Sequence, residues 1–444
     1  MNQPNIVFII SHDTGRYLGT YGHKVETPDI DAMAENGVQF NQYYCPAPQC
    51  SPSRASVLTG LYPHNNGMLG LAHKHFTIKE GTTTLPKELQ NAGYETRLFG
   101  LSHETIGEEP QGVTTSGTKL GYDHYQEVPG NRAPKVTDYV EDYLEEKAQN
   151  QDKPFFINIG YEETHRPFDE YEDEADDPAD VEVLSYLPDT ENVRKDLALM
   201  NGSTKVFDRA VGRVRRKLEE TGLAENTIVI LTTDHGLAFP RAKGSLKDSG
   251  IETFLIVHSP AMVDKGAVRD QLLCNVDMMP TILDLAGAEI PEGLDGKSFA
   301  HLLKGGEEEI RDEFFCELTW HDRFHPMRGV RTHKYKYIRN FEDGPDVYMP
   351  YDIHSSLSGQ DVREQFYVPN SEEELYDVEN DPKEDNNLAA DPAYAEVLED
   401  LRGRVDRWMK ETNDPILHGP VEGVESTKWA EEAAKGQTYE SRNK

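Results

Sequence analysis

Short runs dense in Ile, Val, Phe and Leu recur along the chain at 5–10, 94–99, 154–160, 227–232 and 252–257. Runs of this length without strict alternation predict strands buried on both faces. Helical patterns separate them. Thr27-Pro28 opens a helix with a capping residue and a proline in the first turn, and Gly37 closes it. The segment 85–92 ends at Gly93, 136–149 precedes the strand at 154–160, and a long stretch from about 190 to 221 precedes the strand at 227–232. Strand and helix in alternation predict an α/β fold whose sheet is mainly parallel and flanked by helices.

Beyond about residue 310 the pattern changes. Strands at 313–318, 327–331 and 335–339 follow one another across short turns, and a terminal helix lies near 392–411. This predicts an α/β catalytic domain over 1–310 and a C-terminal subdomain over 311–444 built on a small antiparallel sheet. The acid-rich segment from Asp169 to Asp180 reads as a solvated insertion loop rather than a metal site. Residues 412–444 are polar and predict a loose extension. No internal repeat is visible.

Composition narrows the function. With 36% hydrophobic and 28% charged residues over 444 positions, the chain can bury a sizeable core. No stretch approaches the roughly 20 apolar residues that span a bilayer, so no membrane partner is expected. Lys and Arg number 45 against 80 Asp and Glu, a net charge of −35. Without basic runs, a nucleic-acid partner is excluded as well. An anionic substrate then needs a local cationic pocket, since remote surface carboxylates are screened over a Debye length of about 8 Å. The cysteines are Cys45, Cys50, Cys274 and Cys316, too few for a disulfide scaffold. The N-terminus enters the first strand without a basic region or cleavage site, so as written the protein is expected in the cytoplasm; a trimmed leader would make it periplasmic or secreted. Oligomeric state is not legible.

Candidate chemistry concentrates at Cys50-Ser51-Pro52-Ser53-Arg54 followed by Thr59-Gly60. Ser51-Pro52 starts a helix, which places residue 50 among unsatisfied N–H groups at the positive end of the helix dipole, where an anion is favoured. Asp13 follows the first strand, and Asp234 and His235 follow the strand at 227–232. Carboxylates at the carboxyl ends of two buried strands stand where α/β folds build their sites. Histidines able to move protons near neutral pH include His103, just after the strand at 94–99, and His165, just after the strand at 154–160.

The pattern Cys-x-Pro-x-Arg-x-x-x-x-Thr-Gly resembles the type I, formylglycine-dependent sulfatases. The segments Cys50–Met68, Pro154–Phe156 with His165-Arg166, and His325–Arg328 look like the sulfamidase, or N-sulfoglucosamine sulfohydrolase, branch. That resemblance covers roughly residues 4–340 and implies an alkaline-phosphatase-like fold. It implies that Cys50 is oxidised by a formylglycine-generating maturation enzyme, that the hydrated aldehyde attacks sulfur, and that Arg54 steadies it. It further implies that His103 is the base for sulfate elimination, that His165 and Lys243 contact sulfate or protonate the leaving group, and that a divalent metal, Ca²⁺ in the family, sits on Asp13, Asp234, His235 and residue 50. Two departures stand out. His12 replaces one of two adjacent aspartates and is still expected to ligate the metal, although an imidazole suits softer transition ions better than Ca²⁺. Leu101 stands where a sulfate-binding lysine is usual, a loss for which Lys74 could compensate.

His73, Lys74, His321, His325 and Arg328 gather cations and histidines in an otherwise acidic chain and are candidates for contacts with a sulfated saccharide. The resulting expectation is a sulfuric ester or sulfamate hydrolase acting on sulfated carbohydrate. A phosphonate or phosphate monoester hydrolase of the same superfamily and a carbohydrate-binding pseudoenzyme are the alternatives.

Overall fold

The computed structural model describes residues 3–105, 119–150, 152–261 and 264–424. The apolar runs form the middle of a nine-stranded sheet made of β1 (Asn5–Ser11), β2 (Val38–Tyr44), β3 (Glu95–Gly100), β4 (His124–Gln126), β5 (Phe155–Gly160), β6 (Thr227–Thr233), β7 (Glu252–His258), β8 (Ala267–Arg269) and β9 (Leu273–Cys274). The order is β4-β3-β5-β1-β6-β7-β2-β8, with β9 beside β2. β1 runs parallel to β5 and β6, and β3 runs parallel to β4 and β5. β7 is antiparallel to both β6 and β2. The reversal has a local cause: the connection 234–251 carries only a four-residue helix, stays at the carboxyl end of β6, and returns the chain in the opposite direction.

Alternation along β1 supplies both faces of the core. Ile6, Phe8 and Ile10 join one buried cluster with Phe40, Leu255 and Met279, while Val7 and Ile9 join another with Val136, Val140, Phe207 and Val211. The second face is covered by the helices Ala133–Gln149 and Glu191–Glu220, the first in part by Met278–Ala286. β2 was not visible as an apolar run because Gln39, Asn41 and Gln42 interrupt it; Gln39 is instead satisfied by Thr20 and Asn41.

A second sheet holds β10 (Glu313–Trp320), β11 (Phe324–Thr332), β12 (Tyr335–Asn340) and β13 (Glu373–Asp377) in that order, all antiparallel. The helix Ala395–Glu411 packs on it through Leu401, Val405 and Trp408. Acidic residues mask β13 in the sequence. The polar extension departs from expectation over 412–424: Asp414 is fully buried against Arg328, and the Trp320 indole N–H donates to the Val421 carbonyl at 2.7 Å. Asn413, His418 and Glu422 stay exposed, and 425–444 lie outside the described residues. Among the described residues no helix is long and apolar enough to cross a membrane. The acid-rich segment lies mostly at the surface, where Lys205 pairs with Asp176 and Arg209 with Glu174.

Candidate active site

Parallel pairing of β1 and β6 places Ser11 opposite Thr233, so the next residues of each strand emerge side by side. On one side these are His12 and Asp13, on the other Asp234 and His235, all fully buried. Asp13 adopts a left-handed backbone with φ of 59°, and its N–H donates to Asp234 Oδ1 at 2.9 Å. The His235 N–H donates to the same oxygen at 3.0 Å. Gly236 has to follow, because a Cβ there would stand 2.1 Å from the Ser249 carbonyl oxygen.

The helix Cys50–Thr59 docks its first turn onto these strand ends. Ser53 donates to the Asp234 carbonyl, and Asn275 donates to Ser53 Oγ at 2.8 Å. Arg54 donates from Nε to Asp234 Oδ2 at 2.9 Å and from Nη2 to the Ser11 carbonyl at 3.0 Å. The guanidinium thus ties both strand ends to the helix. Cys50, 3% exposed, stands at the helix start with Sγ 3.0 Å from His12 Nε2 and 3.5 Å from His235 Nε2. Burial raises its thiol pKa, while the Lys243 charge acts the other way.

His12, Asp13, Cys50, Asp234 and His235 offer ligand atoms that all lie within 4.8 Å of one another. The hydrogen-bond pattern shows what the cluster lacks. His235 Nδ1 lies 2.9 Å from the Gly236 carbonyl and donates to it, which turns the Nε2 lone pair toward Asp13 Oδ1 at 3.0 Å. Asp13 Oδ1 itself has no other hydrogen-bond donor among the described residues. Two acceptors facing each other at that distance repel unless a cation or a second proton lies between them, and a divalent cation fits the set. Burial would lower the His235 pKa, but the carboxylates of Asp234 and Asp13 outweigh it and raise it well above the ordinary value. His12 is opposite in sense: burial holds its pKa far down, against the pull of Asp13.

Lys243 closes the outer side. It is 2% exposed, and its ammonium donates to Asp13 Oδ2 at 2.8 Å, to Asp352 Oδ2 at 3.0 Å and to His165 Nε2 at 3.2 Å. Burial opposes its charge, yet Asp13 and Asp352 raise its pKa well above the usual lysine value. His165 Nδ1 donates to the Arg166 carbonyl at 2.5 Å, so its Nε2 accepts from Lys243. The His165 ring lies 4.3 Å from His12, and His103 meets His12 edge-on at 4.9 Å, centroid to centroid. Burial lowers the His103 pKa strongly, and Arg54, His165 and Lys243 push the same way, so its imidazole is a neutral base.

The structure therefore brings Cys50, Arg54, His103, His165, Lys243, His12, Asp13, Asp234 and His235 into one site. The saccharide candidates separate. Lys74 and His73 lie beside Asp322, whose carboxylate His321 approaches at 3.4 Å. His321 is 5% exposed, and beyond its approach to Asp322 its ring nitrogens have no polar partner among the described residues. His325 is buried against the Tyr348 ring, and burial, helped by Arg323, pushes its pKa down to about 3. Arg328 corrects the sequence reading: it has no exposed surface and is consumed by Asp414 and Glu317 beneath β11, because a guanidinium buried there needs full pairing. Leu101 packs at the end of β3.

Sequence reasoning missed Asp352, from the four-residue helix Tyr351–His354, and Glu163, which backs the site. The Glu163 carbonyl accepts from the His12 N–H at 2.9 Å, and its carboxylate, raised to about 7 by burial, accepts from Ala133 N–H and Tyr171 O–H. Neither sits in a recognisable motif. Asp352 arrives through the fold of the C-terminal segment.

Comparison with known proteins agrees with this geometry. The Sulfatase family profile matches residues 4–288, and that of the N-sulphoglucosamine sulphohydrolase C-terminal region matches 240–360. An ulvan-active sulfatase of Formosa agariphila is 30% identical over 94% of this chain and 82% of its own length. The human N-sulphoglucosamine sulphohydrolase is 29% identical over 94% of this chain and 92% of its own. Among solved structures, a 2-O GAG sulfatase superposes with a TM-score of 0.74 at 22% identity, covering 96% of this chain and 95% of that one, which shows the shared alkaline-phosphatase-like fold. The chain belongs to the sulfatase family, the sulfuric ester hydrolases.

Proposed function

We propose that the protein removes sulfate from a sulfated carbohydrate, with residue 50 as nucleophile after oxidation of Cys50 to formylglycine. The observation that carries this reading is the placement of Cys50 Sγ at a helix start, enclosed by His12, Asp13, Asp234 and His235. Names of relatives support the substrate class: they include ulvan-active and N-sulphoglucosamine enzymes, and a solved neighbour is in complex with its substrate D-glucosamine-2-N,6-O-disulfate.

One hydroxyl of the hydrated aldehyde gives its proton to the Asp13 carboxylate beside it and attacks sulfur, and the bond from sulfur to the leaving oxygen or nitrogen breaks with its electron pair going to that atom. Lys243 meets the charge growing there with an ammonium fixed on three sides and supplies the leaving group's proton, which His165 Nε2 can accept from it and pass on. His103, held neutral, then takes the proton of the second hydroxyl. Carbon–oxygen cleavage releases sulfate and restores the aldehyde, which water rehydrates. Arg54 holds Asp234 and the helix start in register during these steps.

Asp13, Asp234 and His235, with His12 and residue 50, would hold a divalent cation. When bound, it neutralises sulfate oxygens and lowers the pKa of the nucleophilic hydroxyl. Calcium prefers six to eight oxygen ligands, whereas this set mixes two carboxylates with the nitrogens of His12 and His235, which suits a first-row transition ion better. Lys74, His73 and His321 border the site on the saccharide side.

Mass spectrometry of the peptide spanning residue 50, from protein made with the maturation enzyme, tests the reading. An aldehyde or its hydrate is expected there, with turnover of aryl sulfate exceeding that of aryl phosphate and phosphonate monoesters. An unmodified thiol in fully active protein overturns it.

A further inference from the structure

The site contains a carboxylate that desulfation in general does not need. Asp352 accepts from Lys243 Nζ at 3.0 Å, and the same oxygen lies 3.9 Å from His165 Nε2. Exposure rises outward along the row: the side chain of Asp13 is 0% exposed, that of Lys243 2% and that of Asp352 25%. Asp352 therefore stands at the mouth, on the far side of Lys243 from the cation ligands. Its position is built. The Tyr351 N–H donates to Asp322 Oδ2 at 2.7 Å, and the Asp322 N–H in turn donates to the Tyr348 hydroxyl at 3.0 Å. Burial would raise the Asp352 pKa, but Lys243 and then His165 outweigh it, so the carboxylate stays ionised. Its Oδ2 takes Lys243, and Oδ1 carries no hydrogen bond among the described residues.

An ionised carboxylate repels the sulfuryl oxygens, so it cannot be their ligand. In-line attack from residue 50 sends the leaving atom away from the nucleophile, toward the mouth. Asp352 stands on that side beside Lys243 Nζ and His165 Nε2, whereas Glu162, 23% exposed, lies on the Nδ1 side of His165. The two substrate classes differ at that atom. A sulfamate presents a nitrogen bearing one hydrogen, which can donate to Asp352, whereas a sulfate ester presents an oxygen with lone pairs only, which the carboxylate repels. A site built to accept from a substrate N–H discriminates strongly against the analogue that lacks it, since its own polar group is then left unpaired.

Building on the sulfatase reading above, we infer that Asp352 is a specificity-determining residue that selects N-sulfated over O-sulfated amino sugars by accepting the sulfamate N–H. It also positions Lys243. After sulfur–nitrogen cleavage the nitrogen gains a proton from the Lys243–His165 pair and leaves as an amine, whose ammonium form the carboxylate attracts.

The test uses formylglycine-bearing enzyme with N-sulfoglucosamine, glucosamine 6-O-sulfate and an aryl sulfate. Wild type is expected to show the higher kcat/KM on N-sulfoglucosamine. Asp352→Asn, whose amide can donate to an ester oxygen, is expected to lower the N-to-O ratio of kcat/KM at least about tenfold, and Asp352→Glu is expected to restore part of it. Equal losses on both sugars in Asp352→Asn would reduce the residue to a support for Lys243 and overturn the inference. So would a wild type that hydrolyses aryl sulfate but prefers the O-sulfated sugar or ignores the N-sulfated one. Failure on all three compounds with the aldehyde in place would instead sink the sulfatase reading itself.

Discussion

Two buried clusters of ionisable side chains share the connection between β6 and β7. At its start, Asp234 and His235 join His12, Asp13 and Lys243; at its end, Lys247 and Asp248 join the second sheet. In the latter cluster each charge meets its opposite. Asp248 lies between Arg331, at 3.0 Å, and Lys336; Lys336 also reaches Glu384 at 2.9 Å; and Lys247 pairs with Glu374 at 3.3 Å. Arg331 and Lys336 keep the Asp248 pKa well down although burial acts against them. The first cluster is different in kind, because two carboxylates, Asp13 and Asp234, and the rings of His12 and His235 converge with residue 50, and the 3.0 Å approach of His235 Nε2 to Asp13 Oδ1 needs a cation or a second proton between them. Burial of charge does not by itself mark a site. Convergence of groups that the protein does not pair is the better sign.

The contrast can be broken in steps, beginning with the nucleophile. Cys50→Ala should lower turnover at least about 10³-fold while leaving circular dichroism and the thermal midpoint unchanged; substantial activity in that variant would remove residue 50 from the chemistry. Next, Lys336→Ala should cost about 3–5 kcal/mol in urea unfolding, because it strands buried carboxylates. Its folded fraction should keep normal kcat, and a stability change near zero would show that the seam is not held by charge.

Chelation sharpens the difference between the clusters. An ion at 100 times its Kd stabilises the fold by about 2.7 kcal/mol, so stripping it should lower the thermal midpoint of wild type and scarcely affect Asp234→Asn. Elemental analysis of the purified protein should return a first-row transition ion in excess of calcium, and a calcium-only result would count against imidazole ligation by His12.

A pH-dependent effect belongs to a buried carboxylate that meets no cation among the described residues. Asp208 accepts from the N–H groups of Asp29 and Ile30, and burial raises its pKa to about 7. Unfolded, an Asp titrates near 3.9. Between those values the folded chain holds a proton that the unfolded chain has lost, so the contribution of Asp208 to stability is greatest below about pH 4, falls as pH rises toward 7, and levels above. Asp208→Asn should flatten that slope in urea midpoints measured at pH 5 and pH 7.5.

What could be read in advance follows the same division. Segments that bury both faces announced themselves: the central strands, the long helices and the strand ends bearing Asp13 and Asp234. The Cys50–Arg54 pattern was legible because its chemistry demands fixed neighbours. β2 and β13 were not, since polar residues such as Gln39 and Glu374 are satisfied by other protein groups rather than by solvent. Arg328 misled because an arginine in a polar stretch carries no local sign of the buried carboxylates, Asp414 and Glu317, that it will meet. Asp352 was invisible for the converse reason: only the tertiary path of the C-terminal segment carries it to Lys243.

The pairing of Ser11 with Thr233 has one more consequence. Halves of the ion cradle lie more than two hundred positions apart in the chain, so a fragment lacking either residues 12–13 or residues 234–235 could not assemble it. Retention of an ion by any truncated form would then report that the middle of the large sheet has zipped together, making metal uptake a gauge of complete folding.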